Sequence, residues 1–501
     1  MEVTRFVANS RMGGASTVGQ ALLAESRRAM TSGVGRQLLK LVRTLAIGPL
    51  FAQLLLLAAS PILSRLYSPR EFATVAFFLL GGAAIASIAC LKLDNAIVRV
   101  ASSLEAARIA MVAIMSAFGF TILLFAAGIV ALTLLERVEY MALIALLAPY
   151  ILIGALYDVL NALALRRRLA AIVTKGRIAL AISSLFVQIV VGVLKGGATG
   201  FVLGLVIGYL CSVIYLTTAL RIKPWRWVSR ISLDARLILA KYQHDWLYGG
   251  PSLLFYTLQN NLPAVILTVV AGSTVGGYYA LIQRVVFNPV IIATGILSQS
   301  ILPWLSRTRD QDSAVFLAKF SSLAGIAMLG MVIAVYPLAE PLFAFIFGEQ
   351  WRQAGIYAGL LFLLLPYRVL YDVLSILLIS ENRQGALFLT RGLALLLGVA
   401  ILFVFSKSAT RDLFFWFSFV QAVCALAGIF AVASVLRIPL SSLLRTMSIG
   451  LFISYLVVAF EGALSAFLGG NTLNLLFGLV GILIVATSLV AMKTASDDGK
   501  A

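Results

Sequence analysis

The sequence predicts an all-α polytopic membrane protein of about fourteen transmembrane helices, built as two six-helix lobes in parallel repeat plus two C-terminal helices. Three observations lead there: a composition no soluble core can absorb, apolar windows of spanning length along the whole chain, and an ordered set of internal matches. Of 501 residues, 61% are hydrophobic and only 12% charged, with a mean hydropathy of +1.02. A soluble domain carries about 25% charged residues, so lipid must be the solvent for most of this chain. The one histidine, His244, and the three scattered cysteines, Cys90, Cys211 and Cys424, exclude a disulfide framework and a zinc site of paired ligands. The net charge of +19 comes from Lys and Arg that punctuate hydrophobic spans. That pattern points to membrane lipids with anionic headgroups as partners, and to no nucleic acid.

Taken in order, residues 1–40 are polar and basic (Arg5, Arg11, Arg27, Arg28, Arg36, Lys40) and read as a mobile cytoplasmic N-terminal arm without a secretory signal. A first six-helix lobe is expected over 41–220, with spans near 41–63, 72–96, 109–134, 140–164, 175–195 and 198–220. Residues 221–246 form a basic cytoplasmic linker. The second lobe, 247–436, has windows at 247–271, 274–302, 314–338, 354–379, 385–406 and 412–436. Two further spans, 446–468 and 472–492, and a short tail fill 437–501. The gaps Lys195 to Gly197 and Ala271 to Ser273 are so short that their flanking spans must be antiparallel hairpins.

With alternate gaps on opposite sides, 29 basic residues fall on the side of the N-terminus and 7 on the other, leaving Lys92, Arg284 and Arg368 within spans. This bias predicts that both termini are cytoplasmic.

The repeat rests on four matches. Gly48-Pro49 with Pro61 recurs as Gly250-Pro251 with Pro263, an offset of 202. Phe72-Ala73-Thr74-Val75-Ala76 faces Gly276-Gly277-Tyr278-Tyr279-Ala280 at 204. Tyr157-Asp158-Val159-Leu160 returns as Tyr371-Asp372-Val373-Leu374 at 214, and Thr174-Lys175-Gly176 as Thr390-Arg391-Gly392 at 216. Six spans per copy is an even number, so the copies share one orientation, and transporters so built place their path between the halves.

Several residues carry charge or amide groups where they cost most. Arg284 lies about ten residues into span 8, roughly 15 Å along the helix and near the midplane. A charge there costs about 3 kcal/mol on insertion scales, so it faces water, a substrate or a structural carboxylate. Arg368 and Asp372 are four apart on one face of span 10, as a mutual ion pair or as an anion ligand tuned by its neighbour. Asp158 precedes Arg166-Arg167-Arg168 and either pairs with one of them or binds a coupling proton or sodium ion. Lys92, Asp94 and Arg99 close span 2 as interface anchors or as part of ion coupling. Gln259, Asn260 and Asn261 sit one turn before Pro263, which frees the Gln259 carbonyl, so this kinked polar segment suits a cavity wall and sugar contact.

Three stretches resemble a known family. The first is Leu63-Ser64-Arg65-Leu66-Tyr67-Ser68-Pro69-Arg70-Glu71-Phe72, continuing to Leu91-Lys92-Leu93-Asp94-Asn95-Ala96-Ile97-Val98-Arg99. The second is Gly272 to Pro289, where a Gly-Tyr step leads to Arg284. The third and most specific is Leu342-Phe343-Ala344-Phe345-Ile346-Phe347-Gly348-Glu349-Gln350-Trp351-Arg352-Gln353-Ala354. Over about 41–436 the chain is similar to the Wzx-type polysaccharide flippases, within the superfamily of MATE drug exporters and lipid II flippases. That resemblance implies a MATE-like fold in the bacterial inner membrane. It also implies turnover of an undecaprenyl-pyrophosphate-linked oligosaccharide to the periplasmic leaflet for O-antigen, capsule or exopolysaccharide. The expected substrate-binding residues are Arg284, Arg368, Gln259, Asn260 and Asn261. Asp158, Asp372, Asp94, Lys92 and Arg99 serve ion coupling or structural pairing. No metal or cofactor is expected beyond a coupling proton or sodium ion, and the partners would include a polysaccharide polymerase and export machinery. One departure is that many relatives carry an acidic residue in span 7 where this chain reads Gln259-Asn260-Asn261.

Two other functions compete. A MATE-like multidrug antiporter moves cationic drugs and calls for acidic cavity residues, which a midplane arginine opposes. A membrane glycosyltransferase or polysaccharide polymerase would carry its chemistry on a large periplasmic loop, and the loops here are short.

Overall fold

The computed structural model describes residues 33–100, 102–134, 141–222, 235–243, 246–247, 250–295, 335–380 and 384–436, with Gly330, Ser448, Tyr455 and Val458. Residues 1–32, most of the expected span 9, and nearly all of spans 13 and 14 lie outside them. Every regular element among the described residues is a helix.

The first, α1 (Gly33–Leu66), begins eight residues before the expected span. Ser68 then caps α2 (Pro69–Ala89): its hydroxyl accepts from the Glu71 N–H at 3.4 Å, and the Glu71 carboxylate accepts from the Ser68 N–H at 2.6 Å. Pro69 opens the helix where no N–H is needed, so the Ser-Pro-Arg-Glu sequence fixes the turn between the first two spans. Span 2 does not run on to residue 96 as expected. Leu91 and Lys92 both take left-handed backbone (φ 52°), and a separate short helix, α3 (Leu93–Arg99), follows. Such a conformation costs a non-glycine residue about 1–2 kcal/mol. Here it is held by Leu91 N–H to Ile88 O at 2.8 Å and Leu93 N–H to Cys90 O at 3.0 Å.

The first lobe continues with α4 (Ser103–Leu134), α5 (Met141–Arg166), α6 (Ala170–Val193) and α7 (Gly197–Ala219). In the linker, α8 (Ala235–Lys241) is pinned to the start of α4: Lys241 forms an ion pair with Glu105, and the Tyr242 hydroxyl donates to the same carboxylate at 2.8 Å. The second lobe has α9 (Gly250–Ala271) and α10 (Ser273–Ile282), the latter passing without a break through a π turn at Gln283–Phe287 to Gly295. After α11 (Ala339–Phe347) come α12 (Arg352–Phe362), α13 (Leu365–Ser380), α14 (Gln384–Val404) and α15 (Thr410–Leu436). The expected span 10 is not one rod, since α12 and α13 meet at a 53° bend. Pro366 removes the bond to the Phe362 carbonyl and crowds it, which breaks the helix there.

Nine described helices are long and apolar enough to cross a membrane, and the bent pair makes up to ten. The nine correspond to expected spans 2–8, 11 and 12. Helix pairings recur between the lobes: α1 packs on α6 as α9 packs on α14, α6 on α7 as α14 on α15, and α5 on α7 as α13 on α15. The two hairpins expected from short gaps, α6–α7 and α9–α10, are also present.

The three stretches that carry the family resemblance converge on one point between the lobes. The Ser64 carbonyl of α1 accepts from Trp351 Nε1 at 2.8 Å and Gln350 Nε2 at 2.7 Å, while the Ser64 hydroxyl donates to Phe347 O at 3.0 Å. Trp351 is fully buried, edge-on to Phe72 (5.1 Å) and Tyr278 (5.9 Å). At Gly277 a Cβ would overlap the Pro69 backbone, so only glycine lets α10 approach α2 this closely. This joint ties the turn from α1 into α2 to the start of α10 and to the turn that precedes α12. Away from it, α2 and α9 part around a cavity.

Candidate functional site

The cavity, about 370 Å³, lies between α2, α7, α9 and α10. Its polar wall comes from Asn260 and Asn261 of α9 and from Gln283, Arg284 and Asn288 of α10. Arg284 is the one charged residue among the described residues lining it. The residue sits in the π turn. Such a turn inserts an extra residue into the helical ladder and recurs at functional sites.

The surroundings of Arg284 are unusual for a cation at this depth. Its Nε donates to the Ser60 hydroxyl at 3.3 Å, and its guanidinium lies over the Phe201 ring at 5.3 Å. Ser60 in turn donates to Leu56 O at 2.7 Å, which orients its lone pairs toward the arginine. Among the described residues no carboxylate lies within ion-pair distance of Arg284, and its Nη2 is enclosed without a hydrogen-bond partner. An unmet buried donor costs about 1–3 kcal/mol, and more when charged.

The asparagines spend their donors on their own helix. Asn260 Nδ2 donates to Tyr256 O at 2.8 Å and Asn261 Nδ2 to Thr257 O at 2.9 Å. Their oxygens therefore face outward as acceptors. Asn261 Oδ1 takes Gln283 Nε2 at 3.2 Å, and Asn260 Oδ1 takes Arg368 Nη2. Gln259, the third member of the expected trio, is not among the cavity-lining residues.

Arg368 reaches the wall from behind. It stacks over Phe287 at 5.3 Å and lies 3.8 Å from Asp372, which lies equally far from Arg391 of α14. Arg391 itself covers the Tyr256 ring at 5.0 Å. The network Arg391–Asp372–Arg368–Asn260 thus braces the cavity wall, with one carboxylate shared between two guanidinium groups. From sequence Arg391 counts only as a topology charge. The signal that could have found it is the joint recurrence of Tyr-Asp-Val-Leu and Thr-Lys/Arg-Gly, because in space these meet: Tyr371 Oη and Thr390 Oγ1 are 2.6 Å apart. Ser60, Phe201 and Phe287 carry no sequence signal, since each matters only through packing against an arginine.

The remaining expected residues form a second group in the first lobe. Lys92 pairs with Asp94 at 3.3 Å, and Arg99 ends α3. Asp158 lies deep along α5 yet is accessible from the space between helices, and the charges acting on it are Asp94, Lys92 and Arg177. Arg166 and Arg167 donate to the carbonyls of Val100 (3.0 Å) and Leu220 (3.0 Å). Asp158 does not line the cavity with Arg284. Outside the spans, the hydrogen bond to Glu105 raises the pKa of Lys241 and keeps the α8 clasp charged. Among the described residues no group of three His, Cys, Asp or Glu could hold a metal ion.

The same architecture recurs in solved structures. A multidrug resistance MATE family transporter of the MOP superfamily, in its inward-facing conformation, shares 16% identity over 80% of this chain and 99% of its own, with a TM-score of 0.61. The lipid II flippase MurJ, inward closed, shares 14% over 91% of this chain and 99% of its own, at 0.62. A MOP superfamily transporter from Pyrococcus furiosus shares 16% over 81% and 96%, at 0.56. These likenesses show the fold. No curated protein matches by sequence. The profile of the family described as polysaccharide biosynthesis protein matches residues 62–355, which include all three converging stretches. The match spans more than half of the chain, which therefore belongs to the polysaccharide biosynthesis protein family.

Proposed function

We propose that the protein turns an undecaprenyl-pyrophosphate-linked oligosaccharide from the cytoplasmic to the periplasmic leaflet of a bacterial inner membrane by alternating access. The observation that carries this reading is Arg284: a cavity-lining cation with an enclosed, unmet donor and, among the described residues, no carboxylate at hand. A pyrophosphate entering the cavity supplies both the missing charge and the missing acceptor. The basic-residue bias supports cytoplasmic termini, and with that orientation the joint at Trp351 lies toward the periplasm. In this reading Gln283 and Asn288 face the glycan, and Arg368 and Asn260 hold the wall. The transfer forms and breaks no covalent bond, and the product passes to a polysaccharide polymerase and export machinery.

Asp158 takes the coupling role for a proton or sodium ion. Among the described residues no cation lies within ion-pair distance of it, which leaves its carboxylate available. A cationic cargo fits poorly beside Arg284, so the multidrug reading is disfavoured.

The test is export in cells that depend on the protein. Arg284→Ala should insert at normal abundance while surface polysaccharide falls steeply and lipid-linked precursor accumulates. Arg284→Lys keeps the charge without the planar fork and should restore part of the export. Arg284→Glu should be at least as damaging as alanine. Normal export by a well-expressed Arg284→Ala protein overturns the proposal.

A further inference from the structure

Helix α2 divides two cavities of opposite chemistry. One face, through Phe72, Val75, Ala76 and Leu79, looks into the cavity that holds Arg284. The other, through Ala73, Thr74, Phe77, Phe78 and Gly81, lines a second cavity of about 540 Å³. Its far wall comes from Leu143, Ile144 and Leu147 of α5 in the first lobe, and from Thr268 and Ser273 in the second.

The second cavity offers a polar guest little beyond the Ser273 hydroxyl. The Thr74 hydroxyl donates to Arg70 O at 3.1 Å and the Thr268 hydroxyl to Ala264 O at 2.8 Å, so both are spent on their own helices. Among the described residues no charged group lines it. A phosphate or a sugar entering here would be stripped of water without compensation. A hydrocarbon chain would lose nothing.

We propose that this second cavity is the subsite for the polyprenyl tail of the substrate. The inference rests on the flippase reading above and deepens it. The substrate is an anion joined to a long apolar chain, and one helix separates a cationic recess from an apolar one. The apolar recess spans the seam between the lobes, with walls from both, so a chain lodged there is gripped or released as the lobes move.

The structure also supplies a way to fill it. Gly81 lines the recess, and a Cβ added there meets no atom within 4 Å. Gly119 on α4 is equally open and does not line either cavity. Gly81→Phe therefore puts a bulky side chain on the subsite wall from a position where its Cβ meets no neighbour, and Gly119→Phe is the matched control.

The experiment uses the full-length protein in liposomes with two probes: undecaprenyl diphosphate and phosphatidylethanolamine, each carrying a diazirine in its chain. Photolabelled positions are read by mass spectrometry. The expected result is labelling of the Phe77 and Leu147 segments by the polyprenyl probe, displaced by unlabelled undecaprenyl diphosphate. It should fall at least fivefold in Gly81→Phe and stay unchanged in Gly119→Phe. Equal labelling there by the phospholipid probe, not displaced by undecaprenyl diphosphate, overturns the subsite. So does polyprenyl labelling that Gly81→Phe leaves intact. If the polyprenyl probe binds in an Arg284-dependent way but labels elsewhere, the subsite fails and the flippase reading stands. If it binds nowhere on the protein, both fail together.

Discussion

The two lobes have related helix pairings but opposite characters at the cavity. At the sequence offsets that relate them, Asn260 stands opposite Ala58, Arg284 opposite Leu80, and Arg368 opposite Gly154. The second lobe has gained amides and guanidinium groups where the first keeps small or apolar side chains. The acids are retained in both, as Asp158 and Asp372, yet their settings differ. Asp372 is shared between Arg368 and Arg391 at 3.8 Å each. Asp158 has no such partner among the described residues. The two related halves thus differ, with the guanidinium and amide groups at the cavity in one and, among the described residues, a carboxylate without an ion-pair partner in the other.

The largest effect that can break this comparison is on stability. Asp372→Ala leaves two guanidinium groups uncompensated and should cost about 3–5 kcal/mol, read as a large fall in melting temperature in detergent. Asp158→Ala should cost far less, while making transport insensitive to a proton or sodium gradient. Equal losses from the two would erase the distinction between a structural and an available acid.

A second effect comes from the joint. Trp351→Ala removes the donor to the Ser64 carbonyl and the ring between Phe72 and Tyr278, at about 3–5 kcal/mol for a buried Trp. On the reading that this joint seals the periplasmic end, cysteines placed beside the cavity should react with small reagents from both sides in this variant. Unchanged one-sided labelling would show that Trp351 does not seal that end.

Much of this was legible in the sequence because lipid imposes simple rules. Spans 2–8, 11 and 12 follow from window length and apolarity, and Arg284 and the Arg368–Asp372 pair stand out because charge within a span is costly. Other features were hidden. Pro263 and Pro366 look alike in sequence, yet α9 continues through the first and the chain bends 53° at the second. Leu91 and Lys92 carry no turn residue to announce a left-handed break, which is imposed by how α3 packs. The asparagines read as sugar ligands, but local donation to their own carbonyls turns their oxygens toward Arg368 and Gln283. That choice depends on neighbours 22 and 108 residues away.

The amides therefore offer smaller, graded tests of the wall. Asn260→Ala should cost about 1–3 kcal/mol, because Arg368 loses its acceptor in a buried setting. Asn261→Ala should cost about 1 kcal/mol, the net worth of one neutral bond to Gln283. The reverse order would mean that Asn261, not Asn260, anchors the second lobe.

The central claim is that Arg284 is held unpaired for an anionic substrate, and one measurement tests it most directly. Melting temperatures of the wild type and of Arg284→Ala are compared with and without undecaprenyl diphosphate. The account predicts that without ligand the variant is as stable as the wild type or more so, since an uncompensated buried charge has been removed. It also predicts that the ligand raises the melting temperature of the wild type alone. A variant that melts well below the wild type yet still gains the full ligand shift would contradict the account, and would make Arg284 half of a structural pair.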